Sequence, residues 1–179
     1  MLAALRSAAL AVALLLALVP CAARAVDDPR VLARAKGTDL GAARRIAAAL
    51  LVRPPAAQLL EVRCERVGPH LDCGLILSGV KFHRRLDLAS WDAEVSALLA
   101  GAYAAEPSAD EIDCWATVPL TAHRGEVVSG DYAQPTSANV FSITVPRAGR
   151  ATVAARLRSG QGVFWDPAFR ASLSKGTDG

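Results

Sequence analysis

Cysteine offers the most chemistry in this chain, which has four: Cys21, Cys64, Cys73 and Cys114. Two opposed thiols form a covalent brace, an activated thiolate is a nucleophile, and several thiolates with an imidazole hold zinc. Spacing separates these options. Residues 58–66 and 71–80 both alternate as strands do, and Val67-Gly68-Pro69-His70 separates them. A turn centred between Gly68 and Pro69 sets Cys64 opposite Cys73, Val62 opposite Leu75 and Leu60 opposite Leu77. All six side chains then share one face, while Glu61, Arg63 and Glu65 share the other. This register predicts a Cys64–Cys73 disulfide closing a loop of about 10 residues. Cys114 is left as a buried thiol on an apolar strand face. The rival readings are a nucleophilic or intermolecular Cys114, and a zinc site built from the three thiols with His70. The zinc spacing contains no tight ligand pair.

The histidines sit in no recognisable motif. His70 falls in the turn, His83 beside Arg84 and Arg85, and His123 beside Arg124. Ser129, His123 and Asp131 can be drawn as a triad, but a triad is defined by geometry. There is no G-x-S-x-G elbow, Gly-rich phosphate loop, H-E-x-x-H helix, EF-hand loop or Cys-x-x-Cys pair. No catalytic residue, cofactor or metal is implied. The binding candidates are Asp113, Trp115 and Thr117, which alternate with Ile112, Cys114, Ala116 and Val118. Ser142, Thr144, Ile76 and Ser78 belong on the same sheet face. Either the N-terminal helices cover this face and Trp115 is core, or the face stays open and binds. The helices' need for an apolar surface favours the first arrangement. Asp131 and Tyr132 are further candidates, because the irregular stretch 130–139 is long for a compact domain.

The elements that position these residues are legible from their punctuation. Asp28-Pro29 starts a short helix that Gly37 stops. Thr38 or Asp39 caps a second helix, with Leu40, Ala43, Ile46, Ala47, Leu50 and Leu51 at helical spacing, and Pro54-Pro55 ends it. Ser90 caps a third, striped by Trp91, Val95, Leu98, Leu99, Ala102 and Tyr103 and closed by Glu106-Pro107. Strands follow over 110–120 and 140–145, with a short one near 126–129. Then come a helix over 149–158, a last strand at 163–165 and an Asp166-Pro167 helix start. The expected fold is α+β: a two-layer sandwich of a mostly antiparallel sheet with helices. From residue 71 the element order matches a ferredoxin-like split βαβ, with an extra N-terminal hairpin strand and N-terminal helices.

The leading residues point to export. Arg6 precedes an uncharged run over 8–19, Pro20 ends it, and Ala23-Arg24-Ala25 supplies a small-x-small cleavage signature. The run is about 12 residues, short of the roughly 20 a spanning helix needs. Residues 1–25 therefore read as a secretory signal peptide. Residues 26–179 read as one domain: a helical segment over 26–55, a sheet-containing core over 56–174 and a tail over 175–179. Losing Arg6 and Arg24 leaves 18 basic residues against 17 acidic. Near-neutrality and export together argue against a nucleic-acid binder. No transmembrane segment is expected after cleavage. The sequence thus predicts a non-catalytic binding or assembly module, periplasmic or secreted, whose partner is a protein or a small molecule. The alternatives are a small periplasmic hydrolase using the 123–139 loop, and an envelope lipoprotein anchored through Cys21 in the box Leu18-Val19-Pro20-Cys21.

Overall fold

The computed structural model describes residues 26–82, 84–119 and 137–174. The leader, Cys21, His83, the 120–136 segment with His123, Ser129, Asp131 and Tyr132, and the tail lie outside the described residues. The order is α1 (Pro29–Arg34), β1 (Ala35–Lys36), α2 (Leu40–Leu51), β2 (Ala57–Val67), β3 (His70–Phe82), α3 (Leu88–Ala105), β4 (Glu111–Pro119) and β5 (Ser137–Pro146). A 3-10 turn (Arg147–Thr152), α4 (Val153–Ser159), β6 (Val163–Trp165) and α5 (Pro167–Ser174) complete it.

The caps are those that local chemistry demands. Asp28 accepts from Arg30 N ahead of Pro29, Asp39 from Ala42 N, and Asp166 from Phe169 N. For α3 the cap is Asp87, which accepts from Ser90 N, and not Ser90 itself. Gly37 has φ 98°, and a Cβ there would lie 2.1 Å from the Cys64 carbonyl oxygen. Only glycine lets the chain turn this close to β2. The turn brings Asp39 N onto Cys64 O at 3.0 Å, so the N-terminal segment docks along the edge of β2.

All six strands form one mixed sheet in the order β1-β2-β3-β4-β5-β6. The pairs β2–β3, β4–β5 and β5–β6 are antiparallel, while β1–β2 and β3–β4 are parallel. The α+β helix-on-sheet sandwich is as expected. The ferredoxin-like interleaving is not present. There, a third strand separates the two that the crossover helix joins, whereas here β3 and β4 are immediate neighbours on either side of α3.

The β2–β3 register sets Cys64 opposite Cys73 and Val62 opposite Leu75, as the cysteine spacing requires. It does not set Leu60 opposite Leu77. Irregularities between Ala57 and Glu61 bring Leu59 to that position instead, leaving Leu59 2% exposed and Leu60 41% exposed. A bulge exchanges the faces of the residues beyond it. β3 is irregular at its far end too, where the Ser78 hydroxyl accepts from Lys81 N at 3.1 Å.

The core lies between this face and the helices. Trp91 of α3 is fully buried and meets Phe141 at 5.4 Å, Phe169 at 5.3 Å and Phe82 at 5.8 Å, all edge-on. Such pairs add roughly 0.5–1.5 kcal/mol each beyond area burial. Val95, Leu98, Leu99 and Ala102 continue the α3 stripe, and Ile46 and Ala47 bring α2 into the same core. The Tyr103 hydroxyl donates to Val145 O at 2.5 Å, and burial pushes its pKa up to about 12.

Glu106, 5% exposed, closes α3 against α2. Burial works against its ionisation, but donors from Ser108 and Arg45 outweigh this and hold its carboxyl below the ordinary glutamate value. A carboxyl lowered in the folded state contributes stability above its unfolded pKa and loses it as pH falls. Glu106→Gln should therefore cost about 1–2 kcal/mol at pH 7. Urea titrations should show the gap to wild type closing below about pH 4.5, the ordinary value for this group.

Candidate functional site

The helices take the cysteine-bearing face of the sheet, so the expectation that the N-terminal helices cover Trp115 is overturned. Ile46, Ala47, Val62, Cys64, Cys73, Cys114 and Trp91 belong to one core. α2 satisfies its apolar stripe against that face and against α3. Asp113, Trp115 and Thr117 point to the other face, and all three are half-buried. No described helix packs there.

The register assembles this outer face row by row. Ile76, Trp115, Ser142 and Phe164 are successive partners across β3, β4, β5 and β6. The next row runs from Arg63 through Gly74 and Asp113 to Thr144. Glycine at position 74 is what lets the indole lie over β3: a Cβ there would come within 2.6 Å of Trp115 Cη2 and 2.7 Å of Cζ3. Phe164, at 50% exposed, adds a second aromatic surface at the β6 edge. The third row sets Glu65, Asp72 and Glu111 side by side on three strands. Strands lie roughly 4.8 Å apart, so the row spans about 10 Å.

The charge on this face is one-sided. Its described carboxylates are Glu61, Glu65, Asp72, Glu111 and Asp113, and its described cations are Lys36 and Arg63. Arg63 is committed to Glu61 at 2.8 Å and reaches Glu65 at 3.5 Å. The Thr38 hydroxyl and backbone hold the Glu65 carboxyl below its usual range. Glu111 is shifted the other way: burial first, then the neighbouring Asp113 and Asp72 carboxylates, push its pKa up. Among the described residues, no three His, Cys, Asp or Glu side chains converge as a metal cage would require. The carboxylates are spread along the strands. Asp72, Gly74 and Phe164 were missed in the sequence because their place depends on which strands pair. The alternation that puts Glu111 beside Asp113 and Trp115 was readable.

Elsewhere the candidates do not gather into a site. Cys64 and Cys73 are disulfide-bonded with Cα atoms 4.2 Å apart, which removes two of the four proposed zinc donors. His70 stands at the turn with its side chain 71% exposed, 3.8 Å from Asp110. Cys114 is fully buried, and desolvation, with Asp113 adding to it, pushes its thiol far above the ordinary range. That is the environment of an inert cysteine. Depressions between α3 and α4 and between α2 and α3 hold at most one carboxylate and one arginine each. Among the described residues, no helix is long and apolar enough to cross a membrane. No family model, curated protein or solved structure matches the chain.

Two outcomes follow. In native protein beginning at Val26, and so lacking Cys21, Cys114 should resist iodoacetamide, and one thiol should alkylate once urea unfolds the unreduced chain, as read by intact mass. Gly74→Ala should lift the indole off β3. Tryptophan emission should shift while the far-ultraviolet circular dichroism stays that of wild type.

Proposed function

We propose that this protein is an exported, disulfide-braced, non-catalytic binding or assembly module that engages its partner through the outer face of the sheet around Trp115. The observation that carries the reading is the asymmetry of the sheet. One face is buried under five helices, while the other presents Trp115, Ile76 and Phe164 among serines, threonines and carboxylates with no described element over it. An aromatic held flat on a rigid strand loses little entropy on being covered, so it makes an efficient contact residue. The polar groups around it fix orientation.

Export rests on the leader: the basic start, the short apolar run and the Ala23-Arg24-Ala25 exit. A disulfide is the kind of brace that persists in an oxidising compartment, periplasmic or extracellular.

The test uses the full chain expressed with its leader. A photo-crosslinking amino acid replaces Thr117 on the outer face or Ala97 on the helix side. The protein recovered from the export compartment should begin at Val26. Adducts should form from position 117 and not from 97, and Trp115→Ala should abolish them. Adducts that survive Trp115→Ala, or that form only from position 97, would move the binding surface elsewhere. A mass showing an acylated Cys21 start would replace the soluble module with an anchored lipoprotein.

A further inference from the structure

The outer face carries five described carboxylates, although the chain as a whole has a small basic excess. The positive charge lies elsewhere. Arg45, Arg53, Arg147, Arg150, Arg158 and Arg170 belong to the helices, their ends and the 3-10 turn. Of the two cations on the face, Arg63 is already paired with Glu61 and Glu65. Lys36 lies on β1, two strands away from Asp72 and further from Glu111 and Asp113.

Among the described residues, the carboxylates of this face without a cation partner are Asp72, Glu111 and Asp113. The Thr144 hydroxyl donates to Asp113, but a neutral donor leaves the charge in place. The Glu111 pKa is pushed up first by burial and then by both carboxylate neighbours, and no described cation offsets them. Asp113 stands opposite Gly74, on which the Trp115 indole lies, and Asp72 and Glu111 form the next rung of the same face, with Ile76 opposite Trp115 on the other side.

We infer that the outer face docks a lysine- or arginine-bearing polypeptide segment, whose cations meet Asp72, Glu111 and Asp113 while their aliphatic stems lie on Trp115 and Ile76. The inference rests on the reading of this face as the docking surface and names the chemistry of its partner. A single metal ion matches the arrangement poorly: Asp72 and Glu111 stand on neighbouring strands, Asp113 lies about 7 Å further along β4, and among the described residues no three such side chains converge. Cationic side chains on a flexible segment can meet them one by one. Their stems bury apolar area and their charged heads can lie over the indole face.

The probe is a decalysine peptide, with decaglutamate as its control, added to the isotopically labelled, disulfide-bonded protein at 50 mM and 200 mM salt. Decalysine should perturb the backbone amides of β3 and β4 and the Trp115 indole N–H, and should bind several-fold more weakly at the higher salt. Glu111→Gln should weaken binding about threefold, and Asp72→Asn/Glu111→Gln about tenfold. Asp27→Asn removes one charge away from the face and should have no effect. Trp115→Ala should weaken binding without altering the salt dependence.

Shifts confined to other surfaces, or a double variant that binds as well as wild type, would overturn the inference. Equal binding of decaglutamate would do the same. If decalysine leaves the face untouched while the crosslinker at position 117 still captures a partner, the face docks a partner that is not cationic, and only this inference falls. If both fail, the outer face is not a docking surface.

Discussion

The antiparallel ladder between β2 and β3 decides which side of the sheet every later residue occupies. Strand side chains alternate, so a slip of one residue would exchange the two faces. The Cys64–Cys73 bond fixes that ladder covalently at one rung. β4 inherits its facing from β3, β5 from β4 and β6 from β5. Cys114, Phe141 and Ile143 fall toward the helices, and Asp113, Trp115, Ser142 and Phe164 away from them, through this chain of dependence. Gly37 extends it in the other direction by letting the N-terminal segment close against Cys64.

The locally encoded part of this arrangement was readable from residues alone. The Cys64–Cys73 rung, the Trp91-to-Tyr103 stripe and the Asp-Pro helix starts each follow from a period or a cap. The rest depended on contacts between distant residues. Nothing near Leu59 announces the bulge that turns it inward and Leu60 outward. The ferredoxin-like expectation rested on element order, which does not say whether a strand will insert between β3 and β4. The coverage of Trp115 was misjudged for a related reason. The N-terminal helices did need an apolar surface, but the cysteine face and α3 together were wide enough to supply it. Asp113, Trp115 and Thr117 were found by alternation, which extends to Glu111 on the same strand, whereas Asp72 joined them only through strand pairing.

The small basic excess of the whole chain conceals a local reversal. Five described carboxylates stand on the sheet's outer face, where only two described cations accompany them. The edges are managed as well. Arg34 donates to Leu59 O along β2, and Arg156 donates to Thr144 O beside the short β6. Side chains thereby occupy backbone acceptors that would otherwise be open to a foreign strand. The sheet is thus guarded along its sides, while no described element packs over its outer face.

The disulfide spans a separation of only nine residues, between strands that a tight turn connects. Its two partners meet within a hairpin, which forms in microseconds, whereas the parallel pairing of β3 with β4 must wait for the whole of α3. As the chain is synthesised from its N-terminal end, the Cys64–Cys73 hairpin is complete before Cys114 appears. Order of arrival thereby protects the correct pairing, and the third thiol enters a core in which its possible partners are already joined.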